Sequence, residues 1–396
     1  MKILQISANW GHGGPGGVEK DIYDILCLNG DECAIAYGRY NIPKEVNSIK
    51  IGGKLSVYKS VLSARLFDNA GFANKKETKR FVKDIVHYNP DIIHIHNLLG
   101  YYLNINVLFT YLKECKKPIV WTVHDCWPFT GHCINFERIN CKKWVTGCYK
   151  CPLKNDYPSS ILCDNSRSNW MKKNEIFGNV PNMKLVVPSN WLKTKIKYSF
   201  LGGYDTEVIH NGIDLNIFHP IESDILQKYK IQSKIVLLAI AGVWNEMKGE
   251  KLLYQIADLL SEEYVIVMIG TQNRTYTHNK IIKIDRTENI SELVKWYSAA
   301  DVFINPTLGD NYPTVNLEAM ACGTPIVTNN TGGSVEAAGD RYGRIVFSKT
   351  PMEFVEKIKE CVAEHIEMEL IIEAAKKFDK KTCFKKYIDL YTRIIE

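Results

Sequence analysis

The residues of this sequence best placed to do chemistry are two carboxylates, Asp310 and Glu318, in the run DNYPTVNLE at residues 310–318. Pro313 predicts the start of a helix that stops at Gly323, since proline suits the first helical position and glycine the residue past the last. Asp310 then lies in the loop before the helix and Glu318 on the helix itself. Two carboxylates so placed can hold separate hydroxyls of one elongated ligand. The segment between them (Asn311, Tyr312, Pro313, Thr314 and Val315) forms a loop and helix start whose backbone N–H groups, Pro313 excepted, can meet a phosphate. As bare carboxylates, the same residues also read as a surface aspartate and a helix-face glutamate.

Lys248 begins a predicted helix just beyond a strand. The dipole at a helix start prefers anions, so a lysine there suggests a shared phosphate ligand, or else a solvated side chain. Gly11, Gly13 and Gly16 match the spacing GxGxxG after a strand. Pro15 removes a backbone donor, and the next strand ends in Tyr37-Gly38-Arg39 rather than an acid. A nicotinamide cofactor carrying a 2′-phosphate therefore stays as one reading. The simpler one is that Gly16 and Gly17 let a ligand approach the backbone. His124 ends a strand, where an imidazole can bond a hydroxyl or act as an acid or base; a satisfied turn histidine is the alternative. His94 and His96 share one face of another strand.

Half of the 12 cysteines fall between Cys126 and Cys163. Cys133, Cys141, Cys148 and Cys151, the last two a CxxC, have spacing that could close on a structural zinc, with His132 able to replace one ligand. Reduced packing cysteines, disulfides or a redox role are the other readings.

Strand-like and helical patterns alternate along the chain. Lys2–Ser7 reads as a strand, followed by GHGGPGG and a helix from Val18. Asp91–Ile95 and Ile119–Val123 are further strands. The second half repeats the grammar: a strand at Ile235–Val243, a helix over Lys248–Leu260, a strand at Tyr264–Ile269 and a helix N-capped by Ser291. Strands at Val302–Asn305 and Ile326–Thr328 follow, then a short helix after Gly332-Gly333 and a C-terminal helix over Phe378–Ile395. Such alternation implies parallel sheets covered on both faces. The fold class is α/β, with two Rossmann-like doubly wound domains facing a central cleft, and ligands beyond the carboxyl ends of the strands. The expected division is residues 1–212, with a cysteine-rich basic insertion at about 126–170, then 213–377, then 378–396 packing back on the N-terminal domain.

The chain has 396 residues with 24 % charged, 45 % hydrophobic and 11 % aromatic, which excludes a disordered polymer and suits two domains. No apolar run approaches the roughly 20 residues of a membrane span. The N-terminus MKILQIS lacks the pattern of a signal peptide, so a cytoplasmic location is expected. The formal charge is +6, yet residues 138–197 alone hold 12 Lys+Arg against 3 Asp+Glu. That segment is either a solvated surface or a patch for an anionic membrane, which would make the protein peripheral at the inner face of the cell membrane. No nucleic-acid signature accompanies it, and no nucleic-acid partner is expected.

Taken together, GGVEK, NGID at residues 211–214, MKG at 247–249 and DNYPTVNLEAMACGTPIVTNNTGGSVE at 310–336 resemble a family 4 glycosyltransferase of the GT-B fold. The cysteine-rich segment, VHDCWPFTGHC onward, is similar to a subset acting in capsule and exopolysaccharide (colanic-acid-like) assembly. The resemblance implies transfer of a sugar from a nucleotide-sugar such as a UDP- or GDP-sugar, with retention at the anomeric carbon and no cofactor for catalysis. It also implies a lipid-linked saccharide acceptor. On it, Glu318 would hold the ribose hydroxyls, Asp310 the transferred sugar, Lys248 the diphosphate, Gly16 and Gly17 the tight approach to the diphosphate, and His124 the donor sugar. The turn Gly332-Gly333 and Glu336 match a further stretch near the nucleotide. The sequence departs from the family at Asp310, where glutamate is usual, and at Val243, where an arginine usually precedes the lysine. The competing functions are a nucleotide-sugar epimerase or hydrolase of the same fold, and a non-catalytic zinc-stapled scaffold of a membrane assembly.

Overall fold

The computed structural model describes residues 1–272, 276–339 and 342–396. Two compact units emerge: Met1–His210 with Phe384–Glu396, and Asn211–Cys383. Each is built on one parallel sheet.

The first unit has seven strands: β1 (Lys2–Ser7), β2 (Glu32–Tyr37), β3 (Ser48–Lys50), β4 (Ile92–Ile95), β5 (Ile119–Thr122), β6 (Met183–Val187) and β7 (Thr206–Val208). Their order is β3-β2-β1-β4-β5-β6-β7. β4 and β5 are buried along their whole length, as strands covered on both faces must be. Trp121 anchors one face, with its ring 5.5 Å from Phe109 and 4.9 Å from Phe177. The first helix, Gly13–Leu28, begins earlier than the pattern from Val18 suggests, and takes in the glycines and Pro15. Gly16 is required there, because a Cβ on it would lie 1.9 Å from the Asn9 carbonyl oxygen. The end of the C-terminal helix, Lys380–Ile395, belongs to this unit. Tyr391 pairs its hydroxyl with His94 Nδ1 at 2.6 Å, and Tyr387 pairs with Thr122 Oγ1 at 3.1 Å.

The cysteine-rich region requires a correction. Cys133, Cys141, Cys148 and Cys151 line one small cavity with His132, yet among the described residues no group of three His, Cys, Asp or Glu is arranged to hold a metal. Other partners occupy these groups. The Cys133 thiol bonds to Cys151 and holds its pKa down to about 7, while Cys148 Sγ accepts from the Gly131 N–H at 3.2 Å. His132 Nδ1 lies 2.6 Å from the buried Asp68 carboxylate. All 12 cysteines are free thiols. An aromatic cluster supplies the core that zinc would have replaced. Trp144 stacks on Phe136 at 4.9 Å and meets Phe129 edge-on at 5.3 Å.

The basic segment is also not all surface. Lys173 is buried, donates to the carbonyls of Trp127 at 2.7 Å and Thr130 at 3.1 Å, and sits 3.5 Å over the Trp127 ring. Burial lowers its pKa to about 7.

The second unit has six strands: β8 (Ile235–Trp244), β9 (Tyr264–Gln272), β10 (Ile281–Ile284), β11 (Val302–Asn305), β12 (Ile326–Asn329) and β13 (Gly343–Val346). Their order is β10-β9-β8-β11-β12-β13. The helix expected from Lys248 begins at Glu250, after Gly249 in the left-handed region at φ 79°. Lys248 therefore stands in the loop, one residue before the N-cap. Asn289, not Ser291, caps the helix Ile290–Ala299, through Oδ1 and the Glu292 N–H. Pro313 does precede the helix Thr314–Ala321, and Gly323 follows it at φ 80°. Among the described residues, no helix is long and apolar enough to cross a membrane.

Candidate functional site

In a doubly wound sheet the crevice for a ligand opens where strand order reverses, beyond the carboxyl ends of the two strands at that point. In the second unit those strands are β8 and β11. Lys248 follows the first and Asp310 the second. The two loops are tied together by Leu308 N–H donating to the Met247 carbonyl at 2.8 Å. Gly249 permits this approach, since a Cβ there would lie 2.1 Å from the Pro306 carbonyl oxygen. Lys248 Nζ consequently meets Asp310 Oδ2 at 2.6 Å.

Asp310 is fixed from behind by the double-glycine turn. Its carbonyl accepts from the Gly333 N–H at 3.0 Å, and a Cβ at Gly332 would fall 1.6 Å from the same oxygen. Its Oδ1 accepts from the Tyr312 N–H at 3.3 Å. Asn311 is half-buried and Tyr312 and Pro313 are buried, while Thr314 and Val315 open the helix that carries Glu318. Burial raises the Glu318 pKa, opposed by hydrogen bonds from Tyr297 and Thr314. The Tyr297 hydroxyl donates to Glu318 Oε2 at 2.8 Å. A buried asparagine pair locks this helix to its strand: Asn305 Nδ2 donates to Asn316 Oδ1 at 2.8 Å. Spacing did not single out Tyr297, Asn305 or Asn316. Their signal was a polar residue in otherwise apolar surroundings. Val243, at the position of the absent arginine, is exposed near the end of β8.

The first unit gathers a histidine chain at the carboxyl edge of its sheet. Gln5 Nε2 donates to the Glu19 carbonyl at 3.3 Å, so its Oε1 is left to accept from His96 Nε2 at 2.8 Å. His96 Nδ1 is then an acceptor, and His124 Nε2 donates to it at 3.2 Å. That leaves Nδ1 as the acceptor nitrogen of His124. Burial pushes the His124 pKa down to about 4 and lowers those of His94 and His96. The neutral ring is therefore a hydrogen-bond acceptor rather than an acid at neutral pH. Gly16 lies in the first turn of the helix after β1, and Gly17 has open space where a Cβ would stand.

These lowered values have a consequence for stability. An unfolded histidine titrates near 6.5, so between about pH 6.5 and 4 the unfolded chain binds more protons than the folded one, and stability falls with pH across that window. His124 alone accounts for about 3 kcal/mol once the pH is below 4, at about 1.4 kcal/mol per unit. The melting temperature should drop between pH 7.5 and pH 5, and a His94→Gln variant should show a shallower drop. Equal slopes for the two proteins would remove the histidines from the explanation.

Residues 222–378 match the family model of glycosyl transferases group 1. The chain is 23 % identical to the putative colanic acid biosynthesis glycosyl transferase WcaC of Escherichia coli K12, over 100 % of both chains. It is 28 % identical to an N,N'-diacetylbacillosaminyl-diphospho-undecaprenol alpha-1,3-N-acetylgalactosaminyltransferase of Campylobacter jejuni, over 47 % of this chain and 53 % of that one. Among solved structures, sucrose-phosphate synthase from Thermosynechococcus elongatus superposes with a TM-score of 0.73 at 15 % identity, covering 99 % of this chain and 98 % of that one. Anabaena Alr3699/HepE, solved in complex with UDP, gives 0.69 at 16 % identity, covering 99 % of this chain and 100 % of that one. The chain thus has the two-domain fold of these solved structures, and its residues 222–378 are similar to the glycosyl transferases of group 1.

Proposed function

We propose that the protein moves a sugar from a UDP- or GDP-sugar to a hydroxyl of a lipid-linked saccharide, with retention at the anomeric carbon, in cell-surface polysaccharide assembly. The observation that carries this reading is the Lys248–Asp310 pair at the switch point of the second sheet, with Glu318 on the helix that follows. The similarity to WcaC, to the Campylobacter transferase and to the UDP-bound HepE fold supports the donor class, the polymer and the lipid-linked acceptor.

In this reading the second unit takes the donor and the first takes the acceptor. The donor diphosphate draws the Lys248 ammonium from Asp310, which is then free to accept from hydroxyls of the transferred sugar. Glu318 accepts from the ribose hydroxyls, and the backbone from Asn311 to Val315 faces the phosphates. Gly16, Gly17 and the His124 imidazole are the groups that the first unit offers to a diphosphate and a sugar hydroxyl. As the anomeric bond breaks, positive charge grows on the sugar and negative charge on the diphosphate, where Lys248 answers it. The acceptor hydroxyl attacks from the side of the leaving group, and its proton passes to a phosphate oxygen. Transfer should therefore survive EDTA.

The test is a thermal-shift screen of nucleotides and nucleotide-sugars. Stabilisation by a nucleoside diphosphate, followed by transfer with retained configuration, is the expected outcome. Epimerised or hydrolysed donor formed without any acceptor would favour the epimerase or hydrolase instead. Association with anionic membrane belongs to the same reading. Lys142, Lys150, Arg167, Lys172, Lys193 and Lys197 are exposed, as are the apolar side chains of Val145, Tyr149, Ile161 and Leu162. Flotation with phosphatidylglycerol vesicles but not phosphatidylcholine ones would bear this out, and equal behaviour with both would reject it.

A further inference from the structure

The second unit holds a cavity of about 650 Å³ that the donor residues do not line. Its walls are the end of β8 and one face of the helix Glu250–Leu259, and the residues that matter are Trp244, Asn245, Glu250, Tyr254, Gln255 and Tyr276. The volume falls in the range of ligand sites, about 300–1,000 Å³. Three features give it a chemical character.

The first is Glu250. It is only 6 % exposed, and its Oε1 has no hydrogen-bond partner. A buried acceptor left unpaired costs about 1–3 kcal/mol, so a turn of the carboxylate that brings this oxygen to a donor in the cavity recovers that cost. The second is an aromatic corner. The rings of Tyr254 and Tyr276 stand 5.7 Å apart at 61°, and Trp244 is held behind by its Nε1–H, which donates to the Ile269 carbonyl at 2.9 Å. The third is the balance at the rim. Asn245 and Gln255 bring neutral amides, and Lys251 and Glu246 bring charges of opposite sign. An anion would meet Glu250 and Glu246, and a purely apolar ligand would leave the Glu250 oxygen unpaired. A neutral polyol with an apolar face uses the two amides, the carboxylate and the tyrosine rings together.

We propose that this cavity is a second saccharide-binding site, taking a neutral pyranose segment of a glycan. The C–H face of the sugar lies on the tyrosine rings, the Glu250 carboxylate turns to accept from a hydroxyl, and the amides of Asn245 and Gln255 serve the remaining hydroxyls. The site rests on the glycosyltransferase reading for its use, which is to retain a glycan chain at a point other than the reacting sugar. It does not depend on the assignment of Lys248, Asp310 or Glu318.

Saturation-transfer difference NMR with maltotriose, cellotriose and chitotriose, in the absence of nucleotide, tests the proposal on the full chain. At least one trisaccharide should show transfer from the wild-type protein. Tyr254→Ala should weaken that binding at least tenfold, and Glu250→Gln should weaken it too, while the thermal shift given by UDP or GDP stays at the wild-type value in Tyr254→Ala. Silence from all three sugars, or unchanged binding to Tyr254→Ala, would overturn the second site and leave the donor site untouched. Tyrosine-dependent saccharide binding in a protein that no nucleotide stabilises would keep the second site and remove the donor assignment instead.

Discussion

Replacing Lys248 by Ala should lower kcat for sugar transfer by about 10²–10³-fold, the range seen when one donor to a developing anion is removed. Two features push the loss toward the upper end. Val243 stands where the resemblance to family 4 glycosyltransferases would have an arginine, so on the proposed function the leaving diphosphate would rely on this ammonium and on backbone N–H groups. Removing the ammonium also leaves Asp310 without the partner now 2.6 Å away, and a bare carboxylate repels the incoming diphosphate. The donor KM should therefore rise together with the fall in kcat. A double variant, Lys248→Ala with Asp310→Asn, separates the two effects: it should recover only the part of the KM rise that the bare carboxylate causes and leave kcat low. The pair is partly solvated, at 37 % and 20 % side-chain exposure, so its loss costs the fold at most about 1 kcal/mol. The melting temperature of the apo protein should hardly move. Steady-state kinetics beside a thermal melt decides it, and near-normal kcat in Lys248→Ala would strip the residue of its assigned role.

Glu318→Gln should weaken binding of the nucleoside diphosphate by about 10–100-fold. A hydrogen bond to a charged acceptor is worth about 1.5–3 kcal/mol, and the amide keeps only one acceptor oxygen for the ribose. The isosteric amide can still accept from the Tyr297 hydroxyl now 2.8 Å away, so the fold should stay close to wild type. Glu318→Ala removes that acceptor as well, stranding a buried phenol at a cost of about 1–3 kcal/mol. Calorimetric titration with UDP or GDP reads the first effect and denaturant unfolding the second. Burial raises the Glu318 pKa above the ordinary glutamate range. The ionised form is the one that accepts from two hydroxyls, so donor affinity should fall as the pH drops through this raised value. The Gln variant should lose that acid limb of the profile. An unchanged limb would assign it to another group.

Much of this protein was legible before any fold was seen, and for one reason: parallel α/β units are written locally. Buried strands are continuous apolar runs, and helices show a repeat near 3.6 residues. Turns are marked by the residues whose backbone they require, so Pro313 and Gly323 bracketed the helix that carries Glu318 without further help. Local grammar does not reach across strands, however. Lys248 and Asp310 are 62 positions apart, and they meet only because β8 and β11 are neighbours and Gly249 lets their loops touch. The acceptor character of His124 depends on Gln5 and His96, on β1 and just past β4, and no spacing rule connects the three. The cysteines carry the opposite lesson. Their spacing suited zinc, but spacing says nothing of where each sulfur points. Packing decided instead, surrounding them with Phe129, Phe136 and Trp144 and turning Cys133 toward Cys151. The burial of Lys173 follows the same logic, since a lysine can leave water when two carbonyls and an indole face receive it. The sequence determined which residues could act. Tertiary contacts between strands distant in the chain decided which of them face one another.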